Sequence, residues 1–228
     1  MYLLTKDEAI LLVRKNLDEQ RANDSDMLDV DDLDSNEFEE VLEKNLPEAI
    51  NSVHTAAPVT ILDGEMLDAN EISGASISEG VLLFGTKQEM LRLIAFKASD
   101  SPYVVCDPVP EYSAEGRMQL NPYTRGTSDR PRLVLLQGKV EDYLSSFKYY
   151  SLDRSYSSAS QAIERFEYIP RYRYKKDGPG SYRVSENVIE NIIDQLTGMM
   201  LITYGNATGA SYYFQKSGVL NNNEQPAE

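Results

Sequence analysis

Ser185-Glu186-Asn187-Val188-Ile189-Glu190-Asn191-Ile192-Ile193-Asp194-Gln195-Leu196-Thr197-Gly198-Met199-Met200-Leu201-Ile202-Thr203-Tyr204 is the most regular stretch of this 228-residue chain. Val188, Ile189, Ile192, Ile193, Leu196, Met199, Met200 and Thr203 recur at alternating spacings of three and four, the period of a helix with one apolar face. At 1.5 Å per residue the nineteen residues after Ser185 span about 28 Å. Gly205 stops it, because glycine takes the left-handed conformation that closes a helix.

An apolar stripe of that length needs partners, and the other end of the chain supplies them. Thr5 and Glu8 have capping-box spacing and open a helix over 6–21, with Ala9, Ile10, Val13 and Leu17 on one stripe. Asp34 and Glu37 resemble a second cap, before a helix lined by Phe38, Val41, Leu42 and Leu46. Pro47 either kinks that helix or opens a third, with Ile50 and Val53 continuing the stripe to Pro58.

Between these ends the period changes to short branched and aromatic runs at 81–84, 91–96, 103–106, 133–136, 143–150 and 166–174, read as strands. A short helix is expected over 154–163. Residues 107–131 hold Pro108, Pro110, Gly116, Pro122, Gly126 and Pro131, which predicts a long hairpin or projecting arm, of the kind that tends to be functional or partner-bound. The expected class is α+β: a helical bundle from 4–58 and 185–204, a β-rich insertion, and an extended C-terminal tail. The corresponding divisions are an N-terminal helical segment over residues 1–78, the insertion over 79–184, the closing helix over 185–206 and the tail over 207–228, whose polar end has too little apolar surface to order by itself.

Charge is sorted along the chain. Residues 1–71 carry 19 acidic and 5 basic side chains, whereas 117–176 carry 12 basic and 6 acidic, within a total of −15. Copies meeting head to tail present opposite potentials, which favours encounter and fixes register. The competing reading is two solvated surfaces that keep the chain soluble. Fifteen tyrosines, six phenylalanines and no tryptophan suit partly wet interfaces better than a deep apolar pocket. The N-terminus has no basic region followed by an apolar run, and no segment approaches a membrane span, so synthesis in a cytosol is expected.

Chemistry has few footholds. Cys106 stands alone and His54 is the single histidine, so no metal centre built on cysteine or histidine is expected and His54 is read as structural or surface. Asp32, Asp34, Asn36, Glu40 and Glu43 fall at positions 1, 3, 5, 9 and 12 of a calcium loop, but Glu37 stands where the turn needs glycine. A helix capped by Asp34, with Glu37, Glu40 and Glu43 on its outer face, is the preferred reading. No phosphate-binding glycine loop and no serine elbow is present; no catalysis and no cofactor are expected. Arg171-Tyr172-Arg173-Tyr174-Lys175-Lys176, if extended, places cations and rings on opposite faces. That supports either a protein partner or, as the alternative, a nucleic-acid-associated accessory protein.

Two stretches resemble a known family. Residues 91–97, then 112–127 with its Asn121-Pro122-Tyr123-Thr124-Arg125-Gly126-Thr127 segment and Arg130-Pro131, are similar to the β-insertion of head-to-tail connector proteins from crAss-like phages of gut Bacteroides. Residues 189–214, where an amphipathic helix ends at Tyr204-Gly205 and continues through Tyr212-Tyr213, resemble the closing helix and tail of the wider adaptor family of short-tailed phages, and 46–54 fits its helical portion. The resemblance implies a structural virion protein of the neck or tail, assembled in the host cytoplasm as a ring of about twelve copies under the portal. DNA would pass through its channel without sequence-specific binding, with further tail or ring proteins below and no membrane partner. The family's tail docks on the portal, which carries over to 210–220 and makes Tyr212, Tyr213 and Phe214 the expected portal anchors, with packing back on the long helix of the same chain as the close competing reading. For the joint between neighbouring subunits, sorted charge nominates Arg171, Arg173, Lys175 and Lys176 against Asp29, Asp31 and Asp32.

Overall fold

The computed structural model describes residues 1–21, 35–67, 76–78, 80–137, 144–150, 152, 156–175 and 180–219. In chain order, β1 (Tyr2–Thr5), α1 (Lys6–Arg21) and α2 (Ser35–Ala56) come first, followed by a 3-10 turn at Val59–Ile61. β2 (Glu65–Met66), β3 (Ser76–Ser78), β4 (Val81–Thr86), β5 (Met90–Ala98) and β6 (Val109–Pro110) lead to the short α3 (Ala114–Met118). β7 (Leu133–Leu136), β8 (Ser145–Tyr149), α4 (Ala159–Ala162), β9 (Ile163–Pro170) and β10 (Ser181–Val184) precede α5 (Ile189–Thr203) and α6 (Ala207–Lys216). The chain divides into two compact units, Met1–Asp63 with Tyr172–Glu228, and Gly64–Arg171.

In the first unit, α1, α2 and α6 all pack on α5. The Glu8 amide donates to Thr5 Oγ1 at 3.2 Å and starts α1, while the Glu8 carboxylate accepts the Tyr2 hydroxyl. Lys6 Nζ reaches Glu43 at 2.8 Å and ties the start of α1 to α2. Ala9, Ile10, Val13 and Leu17 are buried, as are Phe38, Leu42, Leu46, Ile50 and Val53 along α2. Pro47 lies inside α2, which continues as one 22-residue helix rather than opening a third. An internal proline costs about 3 kcal/mol, whereas each of those five large side chains contributes about 1.5–3 kcal/mol on burial, so packing carries the helix through. β1 pairs antiparallel with β10, setting Leu4 opposite Tyr182 and Tyr2 opposite Val184.

The second unit holds two sheets, one of three strands in the order β2-β9-β5 and one of five in the order β3-β4-β8-β7-β6. Neighbours are antiparallel except β6 and β7. Side chains from both sheets meet in one aromatic core: the Phe84 ring lies 5.2 Å from Phe147, 5.7 Å from Phe96 and 5.4 Å, edge-on, from Phe166. The edges of the larger sheet are short, and Pro110 ends β6, which discourages further strands from adding there.

The expected helical bundle with a β-rich insertion and an extended tail is therefore corrected: the protein is mixed α/β, with ten strands in three sheets among the described residues. Two features overturn the bundle. Residues 2–5 and 181–184, each too short to announce a strand locally, pair with one another across the chain and place a sheet among the helices. Residues 207–216 form α6 and not an extended tail. The expected strand at 103–106 reduces to a single bridge between Val105 and Phe96, and the one at 166–174 ends at Pro170. Among the described residues no helix is long and apolar enough to cross a membrane.

Phe84→Ala should destabilise the second unit by about 3–5 kcal/mol, read as a lower midpoint of urea unfolding followed by tyrosine fluorescence. An unchanged midpoint would mean that the aromatic cluster is not the core of that unit.

Candidate assembly surfaces

The C-terminal aromatic cluster splits by direction. Gly205, at φ +85°, ends α5, and Asn206 Oδ1 accepts the Gly209 amide at 2.8 Å to start α6. Tyr213 is 5% exposed, with its hydroxyl donating to the Asn16 carbonyl at 2.9 Å. Phe214 lies over Gly198, where a Cβ would come within 2.7 Å of its ring. Tyr212 is 59% exposed. Of the three expected portal anchors, only Tyr212 presents its ring outward; the other two hold α6 to α1 and α5.

Polar groups complete this attachment. Asp194, buried on α5, accepts from Lys216 Nζ at 3.0 Å and from Asn16 Nδ2 at 3.3 Å, and the same Asn16 amide donates to Thr197 Oγ1. Ser217 Oγ donates to Gln195 Oε1 at 2.8 Å, and Asn191 Nδ2 donates to the Ser217 carbonyl. Burial pushes the Asp194 carboxyl above its ordinary range, against the pull of Lys216 and Asn16.

The basic stretch at 171–176 is not one extended face. Arg171 sits beside Glu89, with Nη1 3.5 Å from the carboxylate and its amide donating to the Glu89 carbonyl. Asn51 holds the Tyr172 backbone through two hydrogen bonds, and the Tyr172 ring packs edge-on against Tyr182 with its hydroxyl on the Arg183 carbonyl. Arg173, Tyr174 and Lys175 are exposed. Tyr172 is thus committed to the fold, which leaves Tyr174 as the accessible ring for a base to stack on. Lys176, Asp29, Asp31 and Asp32 lie outside the described residues.

His54 is buried on α2, and desolvation pushes its imidazole down to about 4, so it is neutral at physiological pH. Asn36, Glu40 and Glu43 of the weighed calcium loop sit on helix α2, where Glu40 pairs with Lys44 and Glu43 with Lys6; Asp32 and Asp34 lie outside the described residues. Among the described residues no group of three or more carboxylate, histidine or cysteine side chains is placed to hold a metal ion.

The loop from 111 to 132 brings together groups that sequence reasoning misses. It holds α3 and a tight turn closed by the bridge between Thr127 and Arg130, in place of a long hairpin. Ser113 caps α3 by accepting the Gly116 amide, and buried Gln119 fastens both sides, donating to the Glu115 carbonyl and accepting the Gly126 amide at 2.7 Å. Asn121 Oδ1 accepts the Tyr123 amide and Thr124 Oγ1 donates to the Met118 carbonyl. A side chain at Gly116 would overlap the Pro110 carbonyl oxygen, which is why only glycine fits there.

On this fastened backbone Met118 is 52%, Leu120 69% and Tyr123 96% exposed. Among the described residues, none of Arg117, Arg125, Arg130 and Arg132 has a carboxylate within ion-pair distance. Apolar side chains lodged among Asn121, Pro122 and Gly126 are the available signal, since a segment of turn residues has no strand or helix face with which to bury them. An ordered loop that displays an aromatic ring and guanidinium groups without carboxylate partners among the described residues is suited to protein contact.

No family model matches the chain, and no curated protein matches its sequence.

Tyr213→Ala should cost about 3 kcal/mol of stability and Tyr212→Ala less than about 0.5 kcal/mol, compared by thermal and urea unfolding; equal effects would contradict the opposed directions of the two rings. His54 supplies a pH test. Its folded value of about 4 lies below the ordinary 6.5, so the unfolded chain takes up a proton first as pH falls. Stability is fully present above about pH 6.5 and declines toward pH 4, by about 2–3 kcal/mol at pH 4.5. Subtracting the urea-unfolding profile of His54→Gln from that of the wild type should isolate this slope, and parallel profiles would refute it.

Proposed function

We propose that the chain is a structural subunit of a closed homo-oligomeric ring, a head-to-tail connector between portal and tail in a phage virion of the crAss-like, short-tailed kind. The observation that carries this reading is the ordered 111–132 loop, which sets Tyr123, Leu120 and Met118 in solvent among arginines without carboxylate partners among the described residues. A ring whose subunits join head to tail needs two different and complementary surfaces on each copy. The sorted charge of the sequence supplies the two signs, and the loop lies in the basic region. In this reading about twelve copies surround a channel through which DNA passes without sequence-specific contact, the portal lies on one side and further tail proteins on the other. The work of the protein is mechanical connection, and no catalytic step belongs to it. Tyr212 is the outward ring left on α6 for the portal.

Native mass spectrometry of the full chain, alone and with portal, tests this. The expected result is a closed species of about twelve 25.7 kDa subunits that dissociates as salt rises toward about 0.5 M. A chain that stays single at high concentration, with portal and without it, would end the proposal.

A further inference from the structure

We propose that the 111–132 loop receives the acidic stretch 24–34 of a second copy of this chain, and that this pairing is the joint between neighbouring subunits; it rests on the ring reading above. The basic member of the joint is thereby the loop and not the 171–176 stretch, where Arg171 already faces Glu89 and Tyr172 is held by Asn51.

Chemistry on both sides supports the match. Between 117 and 132 the sequence has four arginines and one carboxylate, Asp129, while Glu115 and Glu111 precede them. Glu111 is turned to the backbone at the end of β7, accepting the Gln137 amide at 3.1 Å. The four guanidinium groups lack carboxylate partners among the described residues. Residues 24–34 carry six aspartates and no cation, with Met27, Leu28, Val30 and Leu33 between them. Charge alone would suit any polyanion; the interleaved apolar residues select a peptide, because Met118, Leu120 and Tyr123 offer apolar contact where a nucleic-acid backbone has none to give. Arginine pairs with carboxylates through two parallel donors, so each matched pair also fixes orientation. Because the loop is already fastened through Gln119, Asn121 and Ser113, little ordering of it remains to oppose binding.

The test uses two full-length variants, one with Arg125→Glu and Arg130→Glu, the other with Asp29→Lys, Asp31→Lys and Asp32→Lys, each checked for unchanged thermal melting. Each variant alone should associate about tenfold or more weakly than wild type in native mass spectrometry and sedimentation. Mixed in equal amounts they should assemble again as alternating copies, since each reversed loop then meets a reversed stretch. If wild type forms the ring and either variant does so equally well, or the mixture fails to recover, this joint is refuted while the ring reading stands. A wild type that remains single removes the ring reading and the joint with it. Retention of a labelled DNA duplex by the wild type that is lost with Arg125→Glu and Arg130→Glu, with association untouched, would assign the loop to nucleic acid and overturn the proposal.

Discussion

Burial of the middle of α5, where every residue from Ile192 to Gly198 is covered, is the constraint on which the first unit depends. A helix covered by α1, α2 and α6 cannot leave Asp194, Gln195 and Thr197 to water, and each unsatisfied buried polar group costs about 1–3 kcal/mol. The partners come from far along the chain: Asn16 of α1, Lys216 at the end of α6, and Ser217 just beyond it. The C-terminal segment is therefore integral to the fold. Gly198 belongs to the same solution, because the absence of a side chain there lets the Phe214 ring lie directly on α5.

That commitment changes how the surface can be used. With Tyr213 and Phe214 placed against α1 and α5, α6 presents one outward aromatic, Tyr212. In the second unit the reverse holds. Its core is closed by Phe84, Phe96, Phe147 and Phe166 without help from the 111–132 loop, so Met118, Leu120 and Tyr123 are free to face solvent. Internal hydrogen bonds give that loop its order and leave Met118, Leu120 and Tyr123 exposed.

Much of the local structure is legible in the residues. The stripes of α1 and α2, the cap at Thr5, the stop at Gly205 and the strands around Phe84, Phe96 and Phe147 follow from period and from the chemistry of single positions. The candidate surfaces are legible in part. Sorted charge and breaker density mark the stretch that becomes the 111–132 loop, yet the aromatic triad reads as one unit and the dense run at 171–176 stands out above the scattered arginines of the loop. Direction is the missing information: adjacent helical positions 212 and 213 point about 100° apart, and only the placement of α5 tells which of them faces inward.

By itself, then, the sequence determined the type of the long periodic elements, α1, α2, α5 and the strands around Phe84, Phe96 and Phe147, though not their ends, because type is written in the spacing of apolar groups along one element. Tertiary structure alone decided the pairing of β1 with β10, the covering of the polar side of α5 by α6, the exposure of Tyr123 and the commitment of Tyr172. Each of these depends on groups that meet across long stretches of chain or on which face a neighbour leaves uncovered, and a one-dimensional pattern carries no record of either.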